Sequence, residues 1–201
     1  MRNLTQDNIT QAVIARLADT PDPRLKEIMT SLVQHLHAFA REVKLTEAEW
    51  FHGIDFLTRA GHITDDKRQE FILLSDTLGL SMLVVAMNND KPQGATESTV
   101  FGPFYVEGSP EFDCGDDVSN GAVGVPCFVR GHVRDVDGQP VANAKMEIWQ
   151  ADADGKYDVQ REGAGHMARG TLRSGQQGEY FFKSILAEAY PIPDDGPVGD
   201  M

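Results

Sequence analysis

The hydrophobic pattern of the chain changes once, near Lys91 and Pro92. Before this point apolar residues recur with helical spacing, most regularly from Leu25 to Val43. After it, glycine and proline come at short intervals and the apolar runs shorten to strand length. Helices followed by strands, kept apart along the chain, predict an α+β fold and not an alternating α/β sheet. We expect a helical region over residues 1–92 and an antiparallel β-sandwich over residues 93–201.

Four helices are expected in the first region. Asp22 before Pro23 is typical of an N-cap with proline at the first helical position, and this pair begins the second helix. Thr46 and Glu49 have the spacing of a capping box, and Gly61 is expected to end the third helix. The expected bounds are residues 7–17, 23–43, 46–61 and 65–88, with Gly53 and Gly79 tolerated inside helices.

Short strands and tight turns are expected in the second region. The acidic stretch between its first residues and its first strand is predicted to be a surface loop. The predicted strands cover residues 128–134, 145–150 and 179–185, the turns residues 135–138, 152–155 and 174–178, and the surface loop residues 107–125.

Charge and composition exclude several partners. The chain has 18 basic and 31 acidic side chains, a formal net charge of -13, which repels nucleic acid and anionic membrane surfaces. Residues 1–10 are polar and lack the pattern of a signal peptide, and no apolar run reaches spanning length. The two cysteines, Cys114 and Cys127, fit no zinc pattern and are expected to be reduced. We therefore expect a soluble cytoplasmic protein.

Common catalytic motifs are missing from the sequence. It has no phosphate-binding Gly-x-x-x-x-Gly-Lys loop, no Gly-x-Ser-x-Gly elbow and no His-Glu-x-x-His helix. His35 and His37 would be a metal pair on a strand, but on the predicted helix they point about 200° apart. The other histidines stand alone, so we expect structural or surface roles for all of them.

Two of the four tyrosines lie in informative settings. Tyr157 follows the Asp-Ala-Asp-Gly turn, and Tyr190 lies in Ala-Tyr-Pro-Ile-Pro. With these settings and three further stretches, the sequence resembles the intradiol ring-cleaving dioxygenases, most closely the members that act on hydroxyquinol (benzene-1,2,4-triol). These motifs occur in the same order as in the family and cover almost the whole chain. The three further stretches are residues 68–76, 95–108 and 170–174.

The resemblance implies a non-haem Fe(III) ion, one per subunit, held by two tyrosinates and two histidines. Tyr157 and Tyr190 match the two tyrosine ligands, and both are the implied catalytic residues. Hard Fe(III) suits hard anionic oxygen, and a Lewis acid is needed to deprotonate a phenol whose free pKa is near 10. By the same resemblance, Tyr190 leaves the metal when the diol binds, and its phenolate takes up a substrate proton.

The implied reaction cleaves the aromatic ring with O2 between its hydroxyl-bearing carbons, giving a muconate-type or maleylacetate product. Aromatic and aliphatic walls with one polar group suit a flat phenolic ring. Asp76 is expected to select for the third ring hydroxyl, because its acceptor would stay unpaired with catechol. The substrate-binding residues that the resemblance implies are Leu73, Asp76, Val100, Phe101, Gly102, Pro103, Phe104, Ile192 and Pro193.

Partners follow from the same resemblance. The helical region resembles the family's dimerisation and linker domain, which implies a homodimer and allows a bound phospholipid. Catechol and chlorocatechol stay open as substrates beside hydroxyquinol. A non-enzymatic alternative is a carboxypeptidase-regulatory-like β-sandwich binding module, which shares the pattern of residues 131–144 and the following Gly-Glu-Tyr-Phe-Phe. Such modules lack the helical region and the setting of Tyr190, which makes them the second hypothesis.

The sequence departs from the family at its end. The family's histidine ligands form a His-x-His pair on a strand after the second tyrosine, whereas this sequence ends at Met201, soon after Tyr190. Both histidine ligands are therefore expected beyond Met201, and the sandwich is expected to lack its last strands. A polypeptide that ends at Met201 is expected to be inactive.

Overall fold

Helices occupy the first part of the chain, as the periodicity predicts. The computed structural model describes residues 3–66, 68–163 and 165–201, and α1, α2 and α3 span Ile9–Ala15, Pro23–Glu42 and Glu47–Ile63. The side chain of Asp22 accepts hydrogen bonds from the backbone N–H groups of Arg24 and Leu25, at 2.8 and 3.3 Å. The capping box before α3 is also confirmed, with Thr46 N donating to Glu49 Oε2 (2.9 Å) and Glu49 N donating to Thr46 Oγ1 (3.3 Å).

Several helix boundaries differ from the prediction, and α1 is shorter at both ends than the predicted residues 7–17. Helix α3 continues past Gly61 to Ile63. The prediction of a single fourth helix was wrong, because two helices occupy its place. Helix α4 spans Glu70–Thr77 and α5 spans Leu80–Asn88, and the two are bent by 75° relative to each other. The break lies at Gly79, whose φ of 71° is left-handed and ends α4 as glycine commonly ends a helix.

Two antiparallel sheets form the second part. Strands β1 to β4 span Pro126–His132, Lys145–Trp149, Arg169–Arg173 and Glu179–Ile185, with β1 paired to β4 and β2 paired to β3. The strand β3 was not predicted. The sheets share a core whose buried residues are Val118, Leu172 and Phe182. The architecture is thus α+β, with helices preceding antiparallel sheets.

The stretch over residues 107–125 forms no helix or strand but does not lie only at the surface. Phe112 N donates to Thr171 O and Val118 N to Lys183 O, both at 2.9 Å, so the segment runs along β3 and β4. Val118 is fully buried, and Phe112 packs against the same core. The prediction of a surface loop was therefore wrong for these residues, because their apolar side chains fill space beside Gly170.

The chain divides into two compact units, residues 1–62 and 63–201. The second unit contains α4 and α5 together with all four strands. The predicted boundary between residues 92 and 93 stays a prediction. In the described part of the chain no single helix has the length and apolarity to cross a membrane, while the bent pair α4 and α5 meets that test on length and composition alone.

Candidate functional site

Tyr157 and Tyr190 lie against each other in the second unit. Their ring centroids are 5.9 Å apart and the ring planes meet at 73°, an edge-on arrangement. Both residues are half-buried. The two tyrosines that the sequence singles out are thus brought together.

A rigid turn positions Tyr157. Asp152 Oδ1 accepts from the backbone N–H groups of Asp154 (2.9 Å) and Lys156 (3.1 Å), and Gly155 N donates to Asp152 O at 3.1 Å. Arg161 Nε donates to Asp152 Oδ2 at 2.6 Å. Burial raises the pKa of Asp152, but these backbone and guanidinium donors outweigh it and leave the pKa below its usual value. The carboxylate therefore stays ionised and fixes the turn.

The same turn packs against the segment that carries Tyr190. Gly155 is buried with a φ of +73°, and a Cβ added there would lie 2.5 Å from the carbonyl oxygen of Ala189. Glu188 N also donates to Asp152 O at 3.3 Å. Only glycine allows this approach, so the contact between Gly155 and Ala189 sets the spacing of the tyrosine pair.

Gly155→Ala is expected to lower the free energy of unfolding by about 1–3 kcal/mol, because the methyl group adds a backbone clash to an unfavourable φ. Gly138→Ala is the matched control, since Gly138 has a φ of +79° and nothing within 4 Å of its added Cβ. Urea unfolding of both variants measures the difference. Equal effects at the two positions would show that the approach to Ala189 is not tight.

Phe104 completes an aromatic cluster with the two tyrosines. Its ring stacks on Tyr157 with centroids 4.4 Å apart and planes at 21°, and meets Tyr190 edge-on at 4.9 Å. The 4.9 Å separation is in the favourable range for aromatic pairs, and the 4.4 Å separation is at its short end. Phe101, from the same loop, stacks instead on Tyr105 at 4.6 Å.

A buried ion pair lies beside the cluster. Asp158 follows Tyr157 directly, and Arg169 on β3 donates to both of its carboxylate oxygens, from Nε at 2.8 Å and from Nη2 at 2.6 Å. Burial raises the pKa of Asp158, but the hydrogen bonds and charge of Arg169 outweigh it and hold the pKa below its usual value. Arg169 Nη2 also donates to the carbonyl oxygen of Phe104 at 2.7 Å.

The segment after Tyr190 is held by the start of α4. Glu70, 1% exposed, accepts from Val198 N at 3.1 Å and from Arg68 Nη2 at 3.2 Å. Arg68 in turn forms an ion pair with Asp195 at 2.8 Å. A Cβ at Gly196 would collide with the Glu70 carboxylate. These contacts tie residues 195–198 to the helix that carries two of the predicted pocket residues.

The predicted substrate-binding residues fall in three places. Leu73 and Asp76 lie on α4, half-buried and exposed respectively. Of the whole predicted set, ring contacts and hydrogen bonds within the described residues connect only Phe104 to the tyrosine pair. Val100, Phe101, Gly102 and Pro103 precede it in an exposed loop, and Ile192 and Pro193 are exposed after Tyr190.

The tyrosine pair suits a ferric ion in donor chemistry. Fe(III) is a hard cation that prefers anionic oxygen, which two adjacent phenols supply when they are deprotonated. The described residues contain no group of three or more His, Cys, Asp or Glu side chains placed to hold a metal. The two phenols therefore fit part of an iron site.

Comparison with known proteins decides the family. One family model, "Catechol dioxygenase N terminus", matches residues 22–96, and a second, "Dioxygenase", matches residues 100–201. Relatives over nearly the whole chain include an intradiol ring-cleavage dioxygenase of Aspergillus niger, 45% identical over 202 residues. The chain belongs to the intradiol dioxygenase family. The match to the helical part also disfavours the β-sandwich binding module, which has no such region.

Several relatives of this intradiol dioxygenase chain carry names that mention hydroxyquinol. The 6-chlorohydroxyquinol 1,2-dioxygenase of Cupriavidus pinatubonensis is 65% identical and is matched over 100% of this chain and 73% of its own length. The hydroxyquinol 1,2-dioxygenase of Nocardioides simplex is 55% identical, over 98% and 67%. The structure of hydroxyquinol 1,2-dioxygenase from Pseudomonas putida DLL-E4 is similar with a TM-score of 0.90 and 46% identity, over 98% and 69%. The chain thus spans roughly two thirds to three quarters of these relatives.

Sequence reasoning missed Asp158, Arg169 and the role of Gly155. The ion pair joins residues on different elements, and no periodicity connects them. Arg169 lies in the stretch Ala-Arg-Gly-Thr-Leu, which has only two apolar side chains, so the sequence did not indicate a buried strand whose arginine needs a partner.

Proposed function

We propose that the protein is an intradiol dioxygenase that cleaves hydroxyquinol with O2. The observation that carries this proposal is the cluster of Tyr157, Tyr190 and Phe104, which places two phenol donors against an aromatic wall. The names of the relatives support hydroxyquinol or its chlorinated form as the substrate class. The product is a muconate-type or maleylacetate diacid, since both oxygen atoms enter at the cleaved bond.

Tyr157 and Tyr190 are proposed to hold a non-haem Fe(III) ion as phenolates, together with the two histidine ligands that the family resemblance implies. When bound, the ion supplies Lewis acidity that lets a diol bind as its dianion and activates it toward O2. The oxygen of Tyr190 accepts a proton from a substrate hydroxyl, which makes Tyr190 a base as well as a ligand. Tyr157 is proposed to remain a ligand when the diol binds, and the stack of Phe104 on its ring supports its position.

The remaining residues bind and orient the ring. Phe104 offers an aromatic edge and face beside the tyrosines, which suits a flat phenolic substrate and keeps water from the reacting carbons. The loop over residues 100–103 and the segment at Ile192 and Pro193 are proposed to form the apolar walls. Leu73 and Asp76 are proposed to contact the substrate from α4.

Oxygen uptake with three substrates tests the proposal. The complete protein, loaded with iron, is expected to consume one O2 per hydroxyquinol and to act more slowly on catechol and chlorocatechol. With ¹⁸O2, both labelled atoms are expected in the diacid. A colourless protein without iron by elemental analysis, or a semialdehyde product from cleavage beside the diol, would reject it. Faster turnover of catechol than of hydroxyquinol would support intradiol cleavage but would make catechol the preferred substrate.

Asp76→Ala tests the proposed selectivity. Loss of the acceptor is expected to lower the ratio of kcat/KM for hydroxyquinol to that for catechol by about 10- to 100-fold, the effect of one hydrogen bond to a charged group. Asp90→Ala is the control, because it removes another exposed carboxylate beyond the end of α5. An unchanged ratio in Asp76→Ala would remove Asp76 from the substrate site.

The oligomeric state and the cellular location of the protein are part of the same proposal. A homodimer through the N-terminal helices is supported by the apolar stripe of α2, where Leu32 and Leu36 are 51% and 57% exposed. Sedimentation velocity of the complete protein measures the dimer, and lipid extraction with mass spectrometry tests for a bound phospholipid. A cytoplasmic location is proposed with them and is measured by cell fractionation.

A further inference from the structure

Arg169 is the largest of the fully buried side chains in the described residues, at 1% exposure. Every hydrogen bond of its guanidinium goes to one of two acceptors, the Asp158 carboxylate and the Phe104 carbonyl oxygen. Among the described residues Nη1 has no hydrogen-bond partner. A buried cation with this pattern of contacts joins two segments that are far apart in sequence, the turn after Tyr157 and the loop that contains Phe104.

The two segments also contact each other through the aromatic rings of Phe104 and Tyr157. Asp158 is the residue after Tyr157, and the ring of Phe104 stacks on Tyr157 at 4.4 Å. From one strand, β3, Arg169 therefore bonds the backbone of Phe104 and the side chain of Asp158, the residue that follows Tyr157. Loss of the bond to the Phe104 carbonyl removes the hold of Arg169 on the loop side of the stack, while the turn before Tyr157 keeps its own hydrogen bonds.

We propose that Arg169 is a positioning residue, which clamps Phe104 against Tyr157 and so fixes the aromatic wall on which the substrate ring lies. The proposal rests on the proposed function for the role of that wall. Arginine suits the task because its planar guanidinium binds a carboxylate through two nitrogens and still donates to a carbonyl. A lysine at this position would keep the charge but could not reproduce the fork that serves both acceptors.

A ring probe tests the clamp without metal or substrate. With 4-fluorophenylalanine at position 104, the ¹⁹F shift reports stacking on Tyr157. In Arg169→Lys the ratio of stacked to unstacked ring is expected to fall about 10- to 100-fold, the effect of one lost charge-assisted hydrogen bond. Arg173→Lys is the matched control, an exposed position on the same strand, and is expected to leave the shift unchanged.

Kinetics separate positioning from general stability. In the complete iron-loaded protein, Arg169→Lys is expected to raise KM for hydroxyquinol about tenfold or more, with kcat and iron content within about twofold of the parent. If the lysine variant does not fold, Arg169→Met with Asp158→Asn removes both charges together and takes its place.

The outcomes are distinct. An unchanged ¹⁹F shift overturns the clamp, and a changed shift with an unchanged KM overturns its role in substrate binding. If the parent protein binds no iron and consumes no O2, the proposed function fails, while the ¹⁹F shift still decides whether Arg169 holds Phe104.

Discussion

Tyr157→Phe is expected to reduce iron affinity of the complete protein by about 100-fold or more, since even outer contacts of a metal ligand are worth 10- to 100-fold. The substitution removes one hard oxygen donor and keeps the ring that stacks on Phe104 at 4.4 Å. Iron content by elemental analysis, the visible absorption of the phenolate–iron pair and O2 uptake should all fall together. The urea midpoint of the metal-free protein should stay close to that of the parent.

Tyr180→Phe is the control for this loss. It makes the same chemical change on a tyrosine that packs against the core of the sheets and close to Gly131. Iron content and colour should not change in the control. If Tyr157→Phe retained full iron content and colour, Tyr157 would not be a ligand, and the proposed iron site would have to be built from other residues.

Local signals predicted much of the helical part. Asp22 before Pro23 identified the start of α2 because an N-cap needs only the next few residues. Gly79 misled the prediction because glycine occurs both inside helices and at their ends, and only its backbone angle, φ of 71°, separates the cases. The burial of Val118 was missed for a similar reason: its partners on β3 and β4 are distant in sequence.

The candidate site likewise contains some residues that the sequence identified and others that it did not. Tyr157, Tyr190 and Phe104 were identified because each lies in a recognisable stretch of sequence, and the structure places them in one cluster. The bond from Arg169 to Asp158 has no comparable signal, since it depends on how the turn after Tyr157 folds back onto β3. The three aromatic residues of the cluster were therefore predictable, whereas the ion pair beside them was not.

Asp158→Ala is expected to lower the free energy of unfolding by about 3–5 kcal/mol, because it leaves the buried guanidinium of Arg169 without its counter-charge. Both side chains are almost fully buried, at 3% and 1% exposure, so water cannot replace the lost carboxylate. Adding Arg169→Met to Asp158→Ala should recover much of the loss, since an apolar side chain of similar length carries no charge to bury.

Urea unfolding of Asp158→Ala, of Arg169→Met and of the double variant gives the coupling energy between Asp158 and Arg169. Glu27→Ala is the control, because its ion pair with Arg24 is exposed on α2 and its loss should change stability by about 1 kcal/mol or less. If Asp158→Ala were as mild as Glu27→Ala, the pair would not stabilise the fold. A double variant less stable than Asp158→Ala would instead show that the bond from Arg169 to the Phe104 carbonyl contributes independently of Asp158. Comparing Asp158→Ala with the double variant therefore separates charge burial from the hold on Phe104, because Asp158→Ala keeps the bond to the Phe104 carbonyl and the double variant removes it.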